Sequence, residues 1–83
     1  MDKNEILNSD LEVRRNVAGN PNTPVDVLTE LAKDSDCDVR RNVARNPNTP
    51  AGVLTELAND INWYVRCFVA RNPKLKEVLT DKK

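Results

Sequence analysis

An 83-residue chain with 13 basic and 13 acidic residues carries no net charge that would draw in a nucleic acid, a membrane surface or an acidic partner in bulk. Its length allows one small domain near the lower limit for a self-sufficient core, with an expected stability on the order of 0.05–0.15 kcal/mol per residue. Histidine is absent, the only glycines are Gly19 and Gly52, and no apolar run is long enough to cross a membrane, so histidine-based catalysis, a glycine-rich phosphate loop and a transmembrane anchor all lack their residues.

Residues 1–10 read as an N-terminal cap, in which Asn4 to Asn8 offer Ile6 and Leu7 as the remnant of a helix covering the front of the downstream helices. This stretch is too polar for a secretory signal. From Leu11 the chain repeats itself. Val13 to Ala18 reads Val-Arg-Arg-Asn-Val-Ala, returns at Val39 to Ala44, and survives as Val-Arg-Cys-Phe-Val-Ala at Val65 to Ala70, with a constant spacing of 26 residues. A fixed period in this range signals a stacked array whose units bury their apolar faces against one another. The units are 11–36, 37–62 and 63–83, the last including a C-terminal cap, and together they make a single repeat domain over 1–83.

Within each unit the punctuation predicts two helices. Asp10, Asp36 and Asn62 stand where an N-cap would open the first, at Leu11, Cys37 and Trp63. Asn20-Pro21, Asn46-Pro47 and Asn72-Pro73 stop it, because the residue before proline is pushed out of helical geometry. Thr23-Pro24 and Thr49-Pro50 then read as N-cap plus first-turn proline of a second helix, extending to about Lys33 and Asn59. Val27, Leu28, Leu31 and Ala32, with their copies Val53, Leu54, Leu57 and Ala58, supply its buried face at helical spacing. In the third unit Lys74 and Lys76 replace Asn22 and Pro24. Val78, Leu79 and Thr80 echo the second helix, and Lys82-Lys83 suit its C-terminal dipole. The departures at both ends read as caps of a finished stack. The expected fold is all-α, a short right-handed α-solenoid of about three two-helix repeats, α/α or α/3₁₀.

The run from Asp34 to Pro50, with Asp-Val-Arg-Arg at its centre and Asn-Pro-Asn-Thr-Pro at its end, resembles the repeat of the leucine-rich repeat variant family. The wider HEAT-like class shares the Asp34…Val39-Arg40 and Asp60…Val65-Arg66 spacing. The resemblance implies a bacterial protein, a superhelix alternating α- and 3₁₀-helices, and a role in macromolecular interaction without catalysis. The repeat here is slightly longer than the family's usual one. The cysteine-rich iron–sulfur module at the front of some members has no counterpart, so no cofactor is expected. Cys37 and Cys67 stand in different contexts and suggest neither a disulfide framework nor a metal site, which points to a reducing cytoplasm.

Seven arginines lie on the first helices or at their ends. At 100° per residue Arg14, Arg40 and Arg66 lean toward the apolar face, where Asp34 and Asp60 could pair with them in a ladder tying units together. Arg15, Arg41, Arg45 and Arg71 point elsewhere. They form either a solvated face balanced by Glu12, Asp36 and Asp38 or a basic stripe for a partner's carboxylates or phosphates. Asn20, Asn46 and Asn72 are expected to satisfy backbone groups at helix ends, and Asn16 and Asn42 to offer a row of amides.

Trp63, Tyr64 and Phe68 are the only aromatic residues, and they replace Cys37, Asp38 and Asn42 of the preceding copy. Trp63 takes a position held by Leu11 and Cys37, so it and Cys37 are expected in the core. Tyr64 and Phe68 take polar positions, which is how a protein-binding hot spot reads; the structural alternative is packing under Leu75, Val78 and Leu79. The leading expectation is a small adaptor or inhibitor that binds another protein through Tyr64 and Phe68, flanked by Arg15, Arg41, Arg45 and Arg71. Nucleic-acid binding through the arginine-bearing helices is the alternative, weakened by zero net charge and by Gly19 and Cys67 interrupting the stripe. Weak self-association through the open ends of the stack is a further expectation.

Overall fold

Each nine-residue helix of this chain opens on an Asx side chain and closes on an Asn-Pro pair. In a computed structural model describing residues 2–74, six helices follow in order: α1 (Lys3–Leu7), α2 (Leu11–Gly19), α3 (Val25–Leu31), α4 (Cys37–Arg45), α5 (Ala51–Leu57) and α6 (Trp63–Arg71). The side chain of Asp10 accepts from Val13 N, Asp36 from Asp38 N and Val39 N, and Asn62 from Tyr64 N and Val65 N, so the three caps sit where the punctuation put them. No strand occurs among the described residues, and no described helix is long and apolar enough to cross a membrane. The second helix expected for the third unit, with Leu75, Lys76, Val78, Leu79 and Lys82-Lys83, lies outside the described residues.

The second helices settle one alternative and correct one expectation. α3 and α5 are α-helical over seven residues, with Leu28 N and Ala32 N donating to Pro24 O and Leu28 O. The pair is therefore α/α, with three-residue bonds at its ends, from Val27 N to Pro24 O, Lys33 N to Glu30 O and Asp34 N to Leu31 O. Thr23 and Thr49 do not cap these helices. Pro24 and Pro50 take the N-cap position without a side-chain bond, and the buried threonine hydroxyls donate backwards, to Val17 O at 2.6 Å and Val43 O at 2.7 Å. Proline explains the diversion. Pro21 and Pro47 stand four residues after those carbonyls and have no N–H to give them, so the hydroxyl joins Asn20 N or Asn46 N as the second donor to each.

α2, α4 and α6 stack side by side, with α3 and α5 behind them and α1 packed on α2 and α3 at the front. α1 is held by a capping box between Asp2 and Glu5 and buries Ile6. The core is aliphatic: Val39, Val43 and Val65 meet Leu28, Leu31, Leu54 and Leu57, and no aromatic ring is fully buried. Asn46 and Asn72 lock successive units. Each is 2 % exposed and donates both Nδ2 hydrogens to the preceding unit, Asn46 to Ala18 O and Asn20 O, Asn72 to Ala44 O and Asn46 O. These residues do satisfy helix-end carbonyls, but those of their neighbour. Asn20, in the first copy, makes no such inter-unit bond among the described residues; its Oδ1 accepts from Asn22 N and its side chain lies in solvent.

Candidate partner-binding face

The arginines divide into three groups by what they touch. Arg14 Nε donates to Asp34 Oδ2 at 2.8 Å and Nη1 to Ser9 O at 2.6 Å. One unit later Arg40 Nε and Nη2 donate to Asp60 Oδ2 and Oδ1 at 2.8 and 3.2 Å, and Nη1 to Asp34 O at 2.8 Å. The Arg40 guanidinium is held further up its already high range, first by the hydrogen bond to Asp60, against the opposing effect of burial. Both pairs join the first helix of one unit to the loop that opens the next. Arg66, the third in register, is exposed and donates Nη1 to Asp60 O at 2.5 Å; it meets no carboxylate among the described residues.

Arg15 and Arg41 form the second group, and Asp38 serves both. Arg15 Nη2 lies 2.8 Å from Asp38 Oδ2, with its Nε 3.8 Å from Asp36 Oδ1, and Arg41 Nη2 lies 2.8 Å from Asp38 Oδ1. The stripe is thus neutralised at Arg15 and Arg41. Pairs this exposed contribute at most about 1 kcal/mol each, so their effect is chiefly on surface potential. Arg45 and Arg71 form the third group. Each is the last residue of its helix, is exposed, and has no carboxylate partner among the described residues. Arg45 instead lies over the Phe68 ring, with Cζ 5.2 Å from the centroid.

At 100° per residue, Trp63, Tyr64, Cys67 and Arg71 fall within about a 100° arc of α6, on the side that carries Arg41 and Arg45 on α4 and Arg15 and Gly19 on α2. Trp63 is 61 % exposed and Tyr64 56 %, their rings meeting edge to face at 5.0 Å, and Ile61 beside them is 93 % exposed. Trp63 therefore does not enter the core, and neither does Cys37, which is also exposed. The reason is register. In α4 and α6 the first position, Cys37 or Trp63, faces outward and the buried seam begins two residues later, at Val39 and Val65, whereas Leu11 at the head of α2 packs partly buried against the core.

Phe68 occupies the joint between units. It packs against the core, half-buried, where Asn42 of the previous copy donates Nδ2 to Arg15 O at 3.0 Å. The Gly19–Asn42 contact of the first joint becomes Arg45–Phe68 in the second, a paired exchange of small and polar for cationic and aromatic. Phe68→Ala is accordingly expected to lower stability by about 2 kcal/mol in urea titrations, a half-buried fraction of the usual phenylalanine cost. Both partners of that contact stand out in the sequence, but the contact does not; their spacing of 23, three short of the repeat, was the available signal.

Two depressions flank Arg45. One, of about 460 Å³, is polar and lined by Arg15, Asn16, Gly19, Asn42, Arg45 and Pro47. The other, of about 210 Å³, lies between Arg45, Phe68, Arg71, Asn72 and Pro73. Cys67 is partly buried, and no cluster of three metal-ligating side chains occurs among the described residues. The family described as leucine rich repeat variant matches residues 11–36 and 38–60. No curated protein and no solved structure matches the chain.

Proposed function

The chain belongs to the leucine-rich repeat variant family, and on that footing we propose that it is a non-enzymatic module that binds another protein through the solvent face of α2, α4 and α6. It would act in the cytoplasm as an adaptor or a small inhibitor. The observation that carries this reading is the Trp63–Tyr64 pair, more than half exposed beside Ile61, at positions where the other copies place Leu11 or Cys37 and Glu12 or Asp38. Exposing two large rings in water has no stabilising return within the fold, and tyrosine and tryptophan are the residues that dominate protein-binding hot spots. Phe68 supports the site as its half-buried floor, Arg45 and Arg71 supply cations with no carboxylate partner among the described residues, and Arg15 and Arg41 form a neutralised margin with Asp38.

Nucleic acid is the poorer fit to this face. Asp36 and Asp38 occupy it, and they hold the very guanidiniums that a phosphate backbone would need. Tyr64→Ala combined with Trp63→Ala is expected to weaken partner binding by roughly a hundredfold, as for the loss of two hot-spot residues, while the urea midpoint stays within error. Calorimetric titration of a captured partner checks this. Unchanged affinity in the double variant would remove the aromatic pair from the interface.

A further inference from the structure

We propose that the groove between the C-terminal ends of α4 and α6 receives a short acidic segment of the partner, in which one apolar side chain is flanked by carboxylates. This rests on the protein-binding reading above and goes further by naming the chemistry of what binds. Four arginines already hold a carboxylate at 2.8 Å: Arg14, Arg15, Arg40 and Arg41. Arg45 and Arg71 hold none among the described residues, and these two line one groove with Phe68, Asn72 and Pro73. The floor is a half-buried ring and a proline; the rim is two guanidiniums. A volume of about 210 Å³ accommodates one branched aliphatic side chain.

The site is already ordered. Stacking on Phe68 fixes the Arg45 guanidinium 5.2 Å from the ring centroid, so less rotamer entropy is lost when it meets a carboxylate. It also occurs once. At the equivalent joint between α2 and α4, Gly19 stands in place of Arg45 and Asn42 in place of Phe68, which leaves a wider, polar depression with neither the floor nor the second cation. Charge along the chain points the same way. Residues 2–60 hold 11 acidic and 7 basic side chains, a net −4, and residues 61–74 hold three basic ones, Arg66, Arg71 and Lys74, and no acidic one, a net +3. An acidic segment is therefore drawn to this end of the stack and repelled from the other.

A single-stranded nucleic acid satisfies fewer of these features. It needs a full ring face for stacking, and Phe68 is half-buried with Arg45 over it, which leaves only part of the ring to a smaller side chain. It would also extend along a face carrying Glu12, Asp36 and Asp38.

The test uses the full chain and four labelled probes: a ten-residue peptide with one leucine between two Asp-Glu pairs, the same peptide with serine for the leucine, the same with amides for all carboxylates, and a ten-residue oligothymidylate. Anisotropy gives the affinities, and amide chemical shifts locate the site. The first peptide is expected to bind with its largest shifts at Arg45, Phe68, Arg71 and Asn72, and both altered peptides to bind at least roughly fivefold more weakly. Arg45→Glu and Arg71→Glu, on exposed positions and checked for folding by circular dichroism, should each reduce affinity for the first peptide by roughly tenfold.

Equal affinity for the serine peptide would reduce the site to bulk charge and overturn the proposal. So would shifts confined to other helices, tighter binding of the oligothymidylate, or no shift up to about 1 mM peptide. A protein partner that is lost in the Trp63→Ala, Tyr64→Ala variant but indifferent to Arg45→Glu and Arg71→Glu would overturn the groove alone and leave the protein-binding reading standing.

Discussion

Asp60→Ala is expected to lower the unfolding free energy by about 3–5 kcal/mol, the cost of breaking a mostly buried pair on one side. Asp60 accepts from Arg40 Nε and Nη2 and, through Oδ1, from Asn62 N at 2.8 Å, so one carboxylate joins α4 to the turn that opens α6. The Arg40 and Asp60 side chains are 14 % and 8 % exposed, well inside the regime where an orphaned guanidinium cannot be fully rehydrated. A chain of 83 residues has a total of only about 4–12 kcal/mol to lose. Urea titration followed by circular dichroism measures the loss, and a double-mutant cycle with Arg40→Ala should return a coupling of at least about 1 kcal/mol. A loss below about 1 kcal/mol would place the pair among ordinary surface contacts. The raised Arg40 pKa sets the pH window: its stabilisation is fully present below the unfolded-state value and disappears only as pH rises through the folded one. That window lies above any working pH, so alkali up to about pH 10 should leave this contribution intact.

Asn46→Ala is expected to cost about 3 kcal/mol, from three hydrogen bonds removed at a site 2 % exposed. Nδ2 donates to Ala18 O and Asn20 O, both at 2.8 Å, and Oδ1 accepts from Asn48 N at 2.8 Å; the two carbonyls would be left facing a void. Asn46→Asp should be at least as damaging, because a carboxylate cannot donate and would face the same carbonyl oxygens. The control is Asn20→Ala. Asn20 has the same sequence neighbourhood but an exposed side chain with one bond, to Asn22 N, and should cost below about 1 kcal/mol. Equal costs at the two positions would mean that Asn46 acts only within its own turn and does not tie units together.

That contrast also marks how far the sequence could be read. The period of 26, the Asx caps and the Asn-Pro stops placed the nine-residue helices correctly, because caps and proline act within a few residues and leave their signature in the string. What Thr23 and Asn46 bond to could not be read the same way. Their partners lie six residues back and in the neighbouring unit, and a residue's own turn is only one of the places that can use its polar atoms. Trp63 and Cys37 were misplaced for a related reason. Apolar character at a repeat position suggests burial, and Leu11 there is partly buried, but in α4 and α6 the seam starts at Val39 and Val65 and the first residue is exposed. Of the three arginines read as leaning inward, Arg14 and Arg40 are part-buried on Asp34 and Asp60, but Arg66 is exposed. Which outward ones stay unpaired depended on Asp38 reaching both Arg15 and Arg41, a three-dimensional fact.

The central claim is that the solvent face of α6 binds a protein. Its most direct measurement is affinity capture of the tagged chain from lysate of its source organism, with and without nuclease, alongside the Trp63→Ala, Tyr64→Ala double variant. The expected result is a discrete protein that persists after nuclease and is lost in the double variant, whose folding is otherwise unchanged. Capture that disappears with nuclease, or that the double variant retains in full, would contradict the account and move the function away from the aromatic end of the stack.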